Sequence, residues 1–126
     1  MAERPEYRLV VTERPGWLHV AGTGENVPEN VQRFLREAYD ACVRRGRDCL
    51  LLDLGFTGES LPSGSIFAIV SERSADGARL RRIAYVDRRW NDLAKARFAE
   101  TVAVNRAVNV RLFDAVEDAE RWLAQP

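Results

Sequence analysis

The sequence predicts an α/β domain in the order ββαβαβαβα, with a mostly parallel sheet of about five strands after an N-terminal hairpin, packed by about four helices. Three observations carry this. Stretches with strand character alternate with stretches whose apolar residues recur at helical spacing. Residues 49–54, CLLLDL, form a nearly continuous apolar run, as expected of a strand covered on both faces of a parallel sheet. The first two strand-like stretches are separated by only Arg14 and the turn signal Pro15-Gly16, close enough to form an antiparallel hairpin.

Taken in order, residues 6–13, EYRLVVTE, and 17–21, WLHVA, read as the hairpin strands. Asn26 is placed to cap a helix with Glu29 three residues on, as in a capping box, and Pro28 is tolerated in the first turn because its missing N–H has no intrahelical partner there. Val31, Phe34, Leu35, Ala38 and Cys42 share one stripe of that helix, Arg44 and Arg45 suit its C-terminal dipole end, and Gly46 stops it. After the strand at 49–54 comes a loop, GFTGESLPSG, then a helix marked by Ile66, Phe67, Ile69 and Val70 that ends before Asp76-Gly77. Residues 82–86, RIAYV, are the fourth strand, and Trp90, Leu93, Ala94, Phe98 and Val102 mark the third helix. Residues 108–113, VNVRLF, alternate as the fifth strand. Asp114 is placed to cap a last helix, with Glu117 three residues on and Val116, Ala119 and Leu123 on its buried face. With no linker or repeat, residues 1–126 read as a single domain.

Composition excludes several classes. Nineteen basic and 19 acidic residues give zero net charge, which argues against a general nucleic-acid binder. No apolar run is long enough to span a membrane, and the charged start MAERPEYR is not a secretory signal, so a cytoplasmic protein is expected. The basic residues are 18 Arg and a single Lys, Lys95, a bias across the whole chain that leaves individual arginines uninformative. The cluster Arg79, Arg81, Arg82, Arg88 and Arg89 therefore reads first as a solvated face balanced by Asp76, Asp87 and Asp92, ahead of a phosphate or acidic-partner site.

Catalytic and cofactor signatures are sparse. His19, the one histidine, lies inside a strand between Leu18 and Val20 and is read as structural. Gly22-Thr23-Gly24 follows a strand as a dinucleotide fingerprint would, but its third glycine position holds Val27, so the glycines are read as turn residues. Gly58 to Gly64 has neither the spacing nor the lysine of a P-loop. Cys42 and Cys49 read as small core residues. No cofactor and no metal site is expected. Asp53, Glu59 and Asp87 are the carboxylates that an enzymatic reading would gather at one sheet edge.

RIAYVDRRW, VRLFDAVEDAERWL and LLLDLGFTGESLPSG, together with the order of elements, resemble the SpoIIAA-like or STAS-like families, the anti-sigma factor antagonist domains. The resemblance covers nearly the whole chain and implies a fold wound in one direction and shared with CRAL-TRIO lipid-transfer domains. In anti-sigma factor antagonists an Asp-Ser-Ser-Gly loop opens the second helix, and phosphorylation of its second serine switches partner binding. That motif falls here on Leu61, Pro62, Ser63 and Gly64, of which Ser63 and Gly64 match; an alternative register uses Glu59-Ser60. A phosphate at such a helix start would meet unpaired N–H groups, whereas the simpler role of either serine is to cap the helix.

Two functions follow as expectations. The first is a non-enzymatic regulatory or protein-interaction domain working through the loop Phe56–Ser65 and the next helix, with Glu59, Ser60, Ser63 and Gly64 as its switch or partner loop. The alternative is a small apolar-ligand or lipid site at the carboxyl ends of the strands, lined by Gly24, Phe56, Thr57 and Trp90. The hairpin edge would allow a homodimer, although no residue demands one.

Overall fold

Pro15 and Gly16, the latter at φ 98°, are the residue pair a type II turn requires, and they join β1 (Tyr7–Arg14) to β2 (Trp17–Glu25) in antiparallel register from Arg14↔Trp17 to Tyr7↔Gly24. The computed structural model describes residues 5–88 and 92–126. After the hairpin, α1 (Pro28–Arg45), β3 (Cys49–Thr57), α2 (Ser63–Gly77), β4 (Arg82–Asp87), α3 (Leu93–Val104), β5 (Val110–Phe113) and α4 (Val116–Leu123) follow in turn. The five strands lie in sequence order, and every pair after β1·β2 is parallel.

This topology decides which face each helix covers. Parallel crossovers are right-handed, and the strands always advance in one direction, so α1, α2 and α3 fall on the same face. Leu18, Val20, Leu50, Leu52, Phe56 and Ile83 meet them there, with Phe34, Leu35, Ala38 and Cys42 of α1 and Ile69 of α2. The strand residues between them point the other way. Trp17, Cys49, Leu51, Ala84 and Val86 form a second core with Ala119 and Leu123 of α4, a helix that follows the last strand and packs on β3, β4 and β5. Both cysteines are fully buried and unpaired, as small core residues, and burial is the main force raising both thiol pKa values, that of Cys42 to about 11.

Several local readings need correction. β2 and β3 run beyond residues 21 and 54, so Gly22 and Gly24 are strand residues and not turn residues. A Cβ at Gly22 would lie 2.5 Å from Phe34 Cδ1 and 2.9 Å from Phe56 Cζ, and one at Gly24, at φ 134°, would strike the Glu6 carbonyl. Their absent side chains let β2 approach α1 and β1 closely. Asn26 does not cap α1: Val27 holds that position, and Asn26 Nδ2 donates to the Glu59 carbonyl at 2.8 Å. Asn30, buried, ties the helix start instead, donating from Nδ2 to the carbonyls of Glu6 and Glu25, both at 2.8 Å. Asp114 makes no cap to α4, whose N-cap is Ala115. Gly46 does end α1 in the left-handed conformation, at φ 64°. α2 starts at Ser63 and continues through Gly77, which packs under Tyr39 and Val108. On α3, Ala94 is exposed, and Ala96, Val102 and Ala103 are buried. β5 begins at Val110, two residues later than expected.

Candidate functional site

On the face shared by α1, α2 and α3, the side chains leave a cavity of about 130 Å³, partly open to solvent. Its floor is Leu52, Leu54 and Phe56 of β3, with Tyr85 and Asp87 of β4 and Val110 of β5. Val31, Leu35 and Tyr39 of α1 and Ile66, Ile69 and Val70 of α2 form two walls. The third wall is α3, which contributes Ala96, Ala99 and Ala103. These positions are three and four residues apart, so three short side chains share one helix face. A row of methyl groups where larger side chains would fill the space is the local reason for the void.

The lining is mostly apolar, and apart from Tyr39 and Ser74 its polar groups gather where β2, β3 and β4 end. They include Asn26, Ser60, Asp87, Asp92, Lys95 and Glu100. Tyr85 Oη donates to Asp87 Oδ2 at 3.0 Å, and Glu100 Oε2 accepts from the Leu112 amide at 2.6 Å. Burial, then the negative charge of and hydrogen bond to Asp87, then Asp92 and Glu100, push the Tyr85 pKa well above 10, so this hydroxyl stays protonated. Lys95 Nζ donates to Ser63 Oγ at 3.1 Å.

The expected site residues are only partly brought together. Phe56 and Ser60 line the cavity. Gly24 and Thr57 do not: they sit at the strand ends, where Thr57 Oγ1 donates to the Gly24 carbonyl at 3.4 Å. Extension of β2 and β3 moves both residues into the ladder. Trp90 lies outside the described residues. Ser63 is the first residue of α2 and, like Gly64, exposed, but neither Ser63 nor Ser60 caps the helix, whose N-cap is Pro62. Glu59 is exposed in the loop before it.

The three carboxylates proposed for one edge are separated by the sheet. Asp87 faces the cavity, and Asp53 lies on the α4 face. There Asp53, 3% exposed, accepts hydrogen bonds from three nitrogens. His19 Nε2 lies 3.0 Å from Oδ2, Arg88 Nη2 is 2.7 Å from the same oxygen, and Arg88 Nε is 2.8 Å from Oδ1. Burial alone would raise the carboxyl pKa. The hydrogen bonds from His19 and Arg88, with the charge of Arg88, outweigh it and lower the value from 3.8 to about 2. His19 thus has, in Asp53, a partner the sequence did not indicate.

The arginine cluster is also dispersed. Arg82 donates to the carbonyls of Trp122, Gln125 and Pro126, and Arg81 pairs with Asp48 at 3.6 Å. Arg88 holds Asp53, and Arg89 lies outside the described residues. The carboxylates in these pairings are Asp48 and Asp53 and not Asp76, Asp87 or Asp92. Among the described residues, no group of three or more His, Cys, Asp or Glu side chains is arranged to hold a metal, and no helix is long and apolar enough to cross a membrane.

No family model matches the chain, and no curated protein matches it. A solved structure does, that of an uncharacterised protein from the DUF3478 family with a SpoIIAA-like fold from Shewanella loihica PV-4. The match has a TM-score of 0.53 and 12% identity and covers 98% of each chain. The fold is SpoIIAA-like. In this SpoIIAA-like domain the cavity lies between the sheet and the three crossover helices, and α2, the helix after the loop GFTGESLPSG, forms one of its walls.

The sequence reading missed Tyr85, Glu100 and the alanines of α3. The spacing of Ala96, Ala99 and Ala103 was the available signal for the cavity. For the trio of His19, Asp53 and Arg88 it was Asp53 itself, a lone charge inside an otherwise apolar strand.

Proposed function

We propose that this domain binds a small, largely apolar molecule in the cavity between the sheet and α1–α3. The observation that supports this best is the void left by Ala96, Ala99 and Ala103 opposite Phe56 and Ile66, within a lining that is mostly apolar. Apolar cavities of roughly 150 Å³ stay dry and take up benzene-sized ligands, which sets the scale of the occupant. Binding is assigned no chemical step; the reading is of a non-enzymatic domain. Native mass spectrometry of gently purified protein, followed by intact mass after denaturation, tests it. A mass excess lost on denaturation is expected. A bare chain that also gives no amide shifts around the cavity with benzene or toluene would overturn the reading.

One observation favours a second reading, a regulatory domain that binds a protein partner through α2. Ser63 is exposed in the first turn of α2 with Lys95 beside its hydroxyl. A phosphate on that oxygen would meet both the ammonium and the positive end of the helix. On this reading, Ser63→Asp changes partner affinity while the thermal unfolding midpoint stays within a degree or two. Equal affinity of the wild-type protein and both Ser63→Asp and Glu59→Gln would count against it.

A further inference from the structure

The cavity is not electrically neutral. Among the described residues that line it, Asp87, Asp92 and Glu100 are acidic, and Lys95 alone is basic. Lys95 is engaged with Ser63, on the helix opposite its own. Asp87 touches the Tyr85 hydroxyl directly, and Asp92 and Glu100 act on the same hydroxyl through their charge. The three carboxylates thus line the same cavity, on the side where the floor of β4 meets α3. Of the two Glu100 oxygens, Oε2 holds the Leu112 amide. The cavity itself is the site; the carboxylates set its preference among ligands of one shape.

We propose that the cavity selects a small amphiphile with a protonated amine as its head and a ring or short chain as its body. This rests on the cavity reading and adds the class of ligand. The body enters among Leu54, Phe56, Ile66 and Ala99, and the ammonium turns toward Tyr85, Glu100 and Asp92. A partly enclosed site strengthens that attraction relative to open water. A carboxylate or phosphate head of the same size would instead be set among like charges.

Three probes that share one body, phenethylamine, 2-phenylethanol and phenylacetate, test the assignment in titrations of the ¹⁵N-labelled protein at pH 7. The amine is expected to bind at least tenfold tighter than phenylacetate, with the alcohol between them and amide shifts centred on residues 85, 99 and 100. Glu100→Gln keeps an oxygen acceptor for the Leu112 amide and removes a charge, so it should lower the amine-to-acid ratio severalfold and change the alcohol less than either charged probe. Asp92→Asn at the rim gives a second test if Glu100→Gln fails to fold. Equal binding of the three probes, or tightest binding of phenylacetate, overturns the ligand class and leaves the cavity reading standing. If none of the three produces shifts at the cavity, both readings fall.

Discussion

The two faces of this sheet are closed in different ways. One lies under three helices and retains a cavity; the other lies under a single helix and is packed tightly beneath it. The crossover helices have little freedom of position, because each must join two neighbouring strands. Where α2 and α3 stand over the middle of the sheet, only longer side chains could fill the space, and α3 supplies alanines. α4 follows the last strand and has no crossover to complete, so it docks where Trp17, Leu51, Val86 and Leu123 fit together. Beyond its reach that face is finished by charge, with Asp53 held between His19 and Arg88, and Val10 of β1 is left 55% exposed. Neighbouring residues of one strand thus serve opposite ends: Leu52 and Leu54 line a void, and Asp53 fastens the other side.

The largest expected break in this arrangement is Asp53→Ala. It leaves His19 and Arg88 without their shared acceptor, and breaking such a buried pair costs about 3 kcal/mol, toward the low end because the Arg88 side chain can reach water. Urea unfolding of the variant measures it. The carboxyl pKa is lowered in the folded state, from 3.8 to about 2, so its stabilisation is complete above the unfolded value and is lost as pH falls from about 4 through 2. That loss amounts to about 2 kcal/mol, and the pH profile of Asp53→Ala should be flatter than wild type in that window.

Asn30→Ala breaks the other face at its margin. Two hydrogen bonds to the ends of β1 and β2 disappear, but the Glu6 carbonyl keeps the Glu25 amide and the Glu25 carbonyl keeps the Val27 amide. The expected loss is about 1.5 kcal/mol, measured by the same unfolding experiment.

Filling each face with a larger side chain should have opposite effects, which sharpens the contrast between them. Ala99→Leu places a side chain in the void and is expected to raise stability by about 1 kcal/mol while abolishing ligand shifts. A bulky residue at Ala119, on the buried side of α4, should destabilise because no room exists there. The smallest effect belongs to Ala107, which ends the turn after α3 at φ 67°. Ala107→Gly relieves a left-handed alanine, partly offset by the freedom glycine gains when unfolded, for a net gain of about 0.5 kcal/mol. A rise in the thermal midpoint checks it.

How far this architecture was legible depends on where each side chain finds its partner. The strand at CLLLDL and the stripe Val31, Phe34, Leu35, Ala38 and Cys42 are local patterns, and both elements form where those patterns lie. Caps are also local devices, yet Asn26 and Asp114 do not serve as caps; Asn26 is drawn away by the Glu59 carbonyl, a partner 33 residues distant in the chain. The same holds for Asp53, whose partners stand 34 and 35 residues away. With strands read as stopping at 21 and 54, Gly24 and Thr57 fall in the loops where a ligand site is expected; of the expected pocket residues that the structure describes, Phe56, deeper in the strand, is the one that reaches the cavity. A void is made by what three helices fail to fill, and no single segment records that.

The most direct measurement is the amide spectrum of the ¹⁵N-labelled protein under a few atmospheres of xenon, an apolar probe that enters dry cavities of this size. The account predicts saturable shifts confined to residues around Leu54, Phe56, Ile66 and Ala99, and their loss in Ala99→Leu. Shifts that are absent, that centre on the α4 face, or that persist unchanged in the filled variant would contradict it.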